Sequence, residues 1–202
     1  MINTNGYLGK INNTVTTLRI YKYYKTLRYE GAVHECLNLP GKVLNYIFIQ
    51  EDKLTLYHTG YSTETGKKKA RRNLELILDG DYKKNPMNYY YLSDCYLILG
   101  EYEQSIKFAG KFIDSKVNIF GFNSRPYQNI IDSMLRLQYN YDEIIKVIHS
   151  ALNKFPEHPS FYLQLARVYY NKRNYVKALK NFKYTIYYQE RFDGIELNFV
   201  SG

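Results

Sequence analysis

The stretch His158-Pro159-Ser160-Phe161-Tyr162-Leu163-Gln164-Leu165-Ala166-Arg167-Val168-Tyr169-Tyr170-Asn171-Lys172-Arg173-Asn174-Tyr175-Val176-Lys177-Ala178-Leu179-Lys180-Asn181-Phe182 decides the fold. Pro159 marks a helix start, because at the first helical position the missing N–H has no intrahelical partner to lose. Tyr162, Leu165, Ala166 and Tyr169 then recur at helical spacing. Arg173-Asn174 is a short polar turn. After it Tyr175, Ala178, Leu179, Phe182 and Ile186 fall at i, i+3, i+4, i+7 and i+11, the stripe of a half-buried helix. The stretch reads as helix, turn, helix.

Working outward, Asn85-Pro86 and Arg125-Pro126 open two similar units. The first carries Tyr89, Leu92, Tyr96 and Leu99, a turn at Gly100-Glu101, then Tyr102, Ser105, Ile106, Ala109 and Ile113. The middle unit carries Ile131, Leu135, Tyr141, Ile144, Ile145, Ile148 and Leu152. The tyrosines that open the three second helices, Tyr102, Tyr141 and Tyr175, stand 39 and 34 residues apart. Thirty-four is the tetratricopeptide period. The five extra residues belong to the loop Val117–Ser124. The units resemble tetratricopeptide repeats in their small residues as well: Ser93 and Ala166 in first helices, Ser105 and Ala178 in second helices, and Pro156 as a closing proline. The middle unit departs from the pattern with Asp132 and Ile144 at the small positions, so its helices are expected to pack less tightly.

The expected fold is therefore mainly α, a tetratricopeptide-like α-solenoid of about three helix pairs over residues 85–190. A linking helix over 63–84, with Ala70, Leu74, Ile77 and Leu78 on one face, is expected to cover the edge of the array. Thr63 or Thr65 would cap it and Gly80 would end it; residues 191–202 form a tail. Residues 1–62 lack the helical period. Val15–Tyr21 alternates and is β-branched, and Val43–Ile49 and Leu54–Tyr57 are further strand candidates, giving a small partial β segment.

Composition sets outer limits. The chain is 45% hydrophobic and 23% charged, ordinary for a folded protein. No run approaches the roughly 20 apolar residues of a membrane span. Met1–Gly6 has neither the basic head nor the apolar run of a secretory signal, and two cysteines, Cys36 and Cys95, form no disulfide framework or zinc site. A cytoplasmic protein is the expectation. The net charge of +9 and the 24 tyrosines raise nucleic-acid binding, through phosphate neutralisation and base stacking. Against it, most of the tyrosines sit at buried helical spacing, and an AT-rich genome favours Lys, Asn, Ile, Tyr and Phe alike. Nucleic acid is not the expected partner.

A second resemblance lies in the leading segment. Leu18-Arg19-Ile20-Tyr21, Arg28-Tyr29-Glu30-Gly31-Ala32-Val33-His34-Glu35, Leu56-Tyr57-His58-Thr59-Gly60-Tyr61 and Lys68 with Arg71-Arg72-Asn73 resemble a bacterial family-2, GT-A glycosyltransferase that runs into tetratricopeptide repeats, similar to the bacteriocin peptide S-glycosyltransferases. The resemblance implies that residues 1–62 are the last part of a catalytic domain whose nucleotide-binding half, with its Asp-X-Asp motif, is not in this sequence. It implies Glu35 as catalytic base with His34 positioning it, Arg19, Lys68 and Arg72 as substrate-binding residues, and His58 as a metal ligand. Gly31 and Gly60 would permit unusual torsions beside them. A divalent metal, Mg or Mn, and a nucleotide-sugar would belong to the parent enzyme. This chain, with one histidine and no carboxylate set, is not expected to hold a metal tightly or to be active alone. The repeats would bind a peptide or protein acceptor, or mediate self-association as a homodimer. The basic run Lys67–Arg72 has a plainer reading as the solvated face of a helix, and Cys95 as a structural thiol. The alternative function is a non-enzymatic tetratricopeptide protein-interaction scaffold.

Overall fold

The computed structural model describes residues 2–8, 11–17, 25–31, 33, 36–38, 55–58, 63–118 and 121–192; for 2–8, 11–17, 30, 36–38, 55–58 and 63–65 the backbone alone is described. The chain falls into two compact units, Met1–Gly80 and Asp81–Gly202.

Among its described residues the first unit contains five strands and a helix. β1 (Ile2–Leu8) pairs antiparallel with β2 (Ile11–Thr17), from Ile2 opposite Thr17 to Leu8 opposite Ile11. β1 also pairs in parallel with β5 (Thr55–His58), so the first strand is the centre of a three-stranded sheet in the order β2-β1-β5. β3 (Arg28–Glu30) and β4 (Cys36–Asn38) form a separate antiparallel pair. The strand expected at Val15–Tyr21 thus begins earlier, at Ile11, and Leu18–Tyr21 and Val43–Ile49 lie outside the described residues. β1 has no counterpart in the sequence reading, because Asn3, Asn5 and Gly6 are poor strand formers. Its strand character comes from partners on both sides. Helix α1 (Thr63–Asp79) ends just before Gly80, short of residue 84, and because Thr63 and Thr65 both lie inside it, neither is its N-cap. Ala70 and Ile77 are buried, whereas Leu78 is exposed.

The second unit opens with a 3-10 turn at Tyr82–Lys84. Three helix pairs follow: α2 (Met87–Leu99) with α3 (Tyr102–Asp114), α4 (Arg125–Arg136) with α5 (Tyr141–Lys154), and α6 (Pro159–Asn171) with α7 (Tyr175–Gln189). Each second helix starts on the tyrosine that sets the register. The prolines take three slightly different places: Pro159 is the first residue of α6, Pro126 the second of α4, and Pro86 precedes α2. The extra residues fall in the α3–α4 connection, residues 115–124, against 155–158 between α5 and α6.

Each first helix ends the same way. The N–H of Glu101 reaches back to the Tyr96 carbonyl (2.9 Å), that of Tyr139 to Met134 (3.0 Å), and that of Asn174 to Tyr169 (2.9 Å). Such closure needs a left-handed residue. Gly100 supplies it at φ 85°, but Gln138 and Arg173 hold φ 57° and 59° with full side chains, as does Lys116 (φ 55°) after α3. Asn140 and Asn174 then start the next helices, their side chains accepting from the N–H of Asp142 and Lys177.

The core runs through the middle of the array. Tyr127, Ile131 and Met134 of α4, Ile144, Ile148 and Ala151 of α5, and Phe161, Leu165 and Val168 of α6 form one buried cluster. Ile106 and Ile113 of α3 pack against it from the preceding pair. An aromatic group holds the first pair: Tyr96 stacks on Phe108 at 5.5 Å, and Tyr89 on Phe108 at 6.2 Å.

The sequence places a half-buried stripe on every second helix, and α7 corrects that expectation. Tyr175, Leu179 and Ile186 are 58%, 57% and 61% exposed. The residues of α7 that are buried are Ala178, Asn181 and Thr185. No helix follows α7 among the described residues to cover its stripe.

Candidate functional site

A groove of about 1290 Å³ opens in the repeat unit at the C-terminal ends of the three first helices. Leu97 and Ile98 come from α2, Asp132, Leu135 and Arg136 from α4, and Gln164, Arg167 and Asn171 from α6; Tyr102, Tyr139 and Tyr141 close one side. The geometry follows from the repeat. First helices lie side by side at successive repeats, so residues one repeat apart line one continuous surface.

Polar bonds also tie these helices to one another. Asp94 of α2 accepts from Arg125 Nε (3.0 Å) and Asn129 Nδ2 (2.7 Å) of α4. Asn129 also reaches Ser93 Oγ at 3.0 Å. Asp132 of α4 accepts from Gln164 Nε2 of α6 at 3.3 Å. At the groove's end Lys172 Nζ lies 2.7 Å from Asp142 Oδ1. Burial raises the Asp132 carboxyl above its ordinary value, and the Arg125, Arg136 and Arg167 guanidiniums pull against that rise. Asp132 is therefore a costly carboxylate in the groove, and two of the three cations around it, Arg136 and Arg167, line the groove and are exposed to solvent.

Four of these positions were legible and went unread. Arg125, Asn129, Asp132 and Arg136 follow one another at steps of four, three and four, one polar face of α4. The sequence reading followed the apolar face and met Asp132 only as a misfit. The partners Asp94 and Gln164 lie more than 30 residues away, and no local spacing connects them.

Of the residues that the glycosyltransferase resemblance singles out, His58, Lys68 and Arg72 are among the described residues. Arg19, His34 and Glu35 lie outside the described residues. His58 is the last residue of β5, opposite Gly6 of β1, and its side chain is not described. Lys68 and Arg72 are exposed on the second and third turns of α1, where Arg72 bonds Asn73 Oδ1 at 2.9 Å. Gly31 does hold the left-handed torsion expected of it, φ 112°. Cys95 is buried, and burial, with Asp94 adding to it, pushes its thiol up to about 12, so it is no nucleophile at neutral pH.

No family model matches the chain, and no curated protein matches it. Solved structures do. The structure described as "MamA MSR-1 C2" is 19% identical with a TM-score of 0.51, over 65% of this chain and 79% of that one. "MamA RS-1 ArsTM double mutant" is 12% identical with a TM-score of 0.53, over 65% and 77%. "Crystal Structure of the Yeast Tom70" is 21% identical with a TM-score of 0.50, over 67% of this chain and 29% of that one. These are tetratricopeptide-like helical-repeat proteins, and the likeness shows the fold: this chain is a tetratricopeptide-like α-solenoid. Nothing in the comparisons connects it to a glycosyltransferase. Among the described residues, no helix is long and apolar enough to cross a membrane.

Proposed function

We propose that this chain is a protein-interaction scaffold whose groove, at the inner ends of α2, α4 and α6, holds an extended segment of a partner protein. The observation that carries this reading is the groove itself. It is large enough for several residues, walled by Leu97, Ile98, Leu135 and three tyrosines, and furnished with hydrogen-bonding groups at repeat intervals. An extended peptide needs apolar contacts for its side chains and polar groups for its backbone, and this surface offers both. Exposed Arg136 and Arg167 favour a peptide that presents a carboxylate.

The scaffold reading replaces the transferase reading. No specific observation favours sugar transfer: the comparisons give it no support, and His34 and Glu35 have no described geometry to argue from. Peptides selected from a random displayed library on the full chain test the proposal. Their affinity should fall at least about tenfold with Arg136→Glu plus Arg167→Glu, a loss of roughly 1.4 kcal/mol. It should be unchanged by Lys146→Glu on the outer face of α5. Equal sensitivity to both changes would move binding out of the groove. Sugar release from a nucleotide-sugar by the purified chain, lost in Glu35→Gln, would restore the transferase.

A further inference from the structure

The repeat unit has a second cavity, of about 420 Å³, at the opposite end of α4 from the groove. That volume lies within the roughly 300–1,000 Å³ of small-molecule sites. Its wall is largely aromatic. Phe112 of α3, Tyr127 of α4 and Phe155 at the end of α5 line it, with Tyr127 and Phe155 edge to face at 6.0 Å.

The break in the repeat period builds the other wall. Lys116, Val117, Asn118 and Asn123 all belong to the α3–α4 connection, residues 115–124. Asn123 Nδ2 donates to Asn118 Oδ1 at 2.7 Å, drawing the two ends of the insertion together. One repeat on, the connection is residues 155–158 and Phe161 takes the place of Tyr127. There the space is packed: His158 lies 4.9 Å from Phe161 and 5.3 Å from Phe192, ring centre to ring centre. The longer connection therefore makes a chamber that the regular repeat lacks.

The charge of this chamber has a definite sign. Lys116 and Lys154 line it and are exposed, and among the described residues neither has a carboxylate partner. Lys154 Nζ lies 5.6 Å from the centre of the Tyr127 ring instead. Asp114 and Glu157, the acidic residues nearest in sequence to the lining, are exposed and stand outside it. The carbonyl ends of α3 and α5 reach the cavity, and each contributes roughly half a negative charge. Two ammonium groups outweigh them by about one unit, so the cavity favours an anion.

We propose that this cavity binds a small molecule with a planar apolar body and an acid group, the acid held by Lys116 and Lys154 and the body by Phe112, Tyr127 and Phe155. The site stands apart from the groove and does not rest on it.

Two dyes of nearly identical body test the proposal by fluorescence titration of the full chain. 8-Anilinonaphthalene-1-sulfonate carries the acid group, and N-phenyl-1-naphthylamine lacks it. The sulfonate should bind at least about tenfold tighter, with the gap narrowing as salt is raised. Lys116→Ala with Lys154→Ala should remove that preference while the neutral dye binds as before, and the melting curve should hold because both lysines are exposed. Leu179→Ala with Ile186→Ala, on the exposed face of α7, should change nothing. The proposal is overturned if neither dye binds, if both bind equally, or if the lysine pair leaves sulfonate affinity intact. It is also overturned if the α7 pair abolishes binding, or if the sulfonate binds only after Ile119→Ser with Phe120→Ser.

Discussion

The outer helix pairs and the middle pair are built from the same register but held in different ways. In α2–α3 the point of closest approach sets Ser93 against Ser105, and each hydroxyl donates to the other's carbonyl, at 3.1 and 3.0 Å. In α6–α7 the corresponding residues are Ala166 and Ala178, both buried. In α4–α5 the same two positions hold Asp132 and Ile144, and the two helices share fewer close backbone approaches. A carboxylate cannot be wedged between two helices without heavy desolvation, so Asp132 stands at the groove edge and Ile144 alone fills the interior. The outer pairs are held by backbone proximity, the middle pair by side-chain bulk. The groove opens where one replaces the other.

The hardest test of that contrast is Ile144→Ala. It should cost about 2–5 kcal/mol in urea denaturation of the full chain. A loss below about 1 kcal/mol would mean that side-chain bulk does not hold the middle pair. Next in size, Ala166→Leu should cost about 1–3 kcal/mol through overpacking. Asp132→Leu, one repeat earlier at the corresponding position, should cost clearly less; equal losses would erase the distinction.

The smallest effect depends on pH. Because burial raises the folded Asp132 carboxyl above its ordinary 3.8, the folded chain holds that proton more tightly than the unfolded one. Its contribution is therefore most favourable below 3.8 and is lost as pH rises through the raised value. Asp132→Asn should be the more stable protein at neutral pH, with the advantage shrinking on acidification. A variant less stable than the parent at pH 7 would show that Arg125, Arg136 and Arg167 outweigh burial.

The array was readable because its signals are local. A tyrosine after a polar turn sets each of Tyr102, Tyr141 and Tyr175 at a helix start, and the structure begins α3, α5 and α7 on those residues. Asp132 and Ile144 at the small positions foretold the looser middle pair. The misses are non-local. Ile2–Leu8 is a strand because β2 and β5 flank it, which its own residues do not announce. The α7 stripe reads as buried because spacing records which face is apolar, not whether a neighbour arrives. The groove joins residues more than 30 positions apart, and only the α4 contribution shows a spacing of its own. Arg19, His34 and Glu35 fall outside the described residues, so their assignment rests where the sequence left it.

The corners of the array have a consequence for its evolution. Lys116, Gln138 and Arg173 occupy a backbone conformation that costs a side-chain-bearing residue about 1 kcal/mol, whereas Gly100 and Gly121 take the relaxed choice. Glycine at Arg173 should raise the melting temperature by a few degrees. That position lies neither in the groove nor in the cavity beside Lys116. Heat tolerance and partner choice can therefore drift independently in this molecule, with the first written in its turns and the second along its helices.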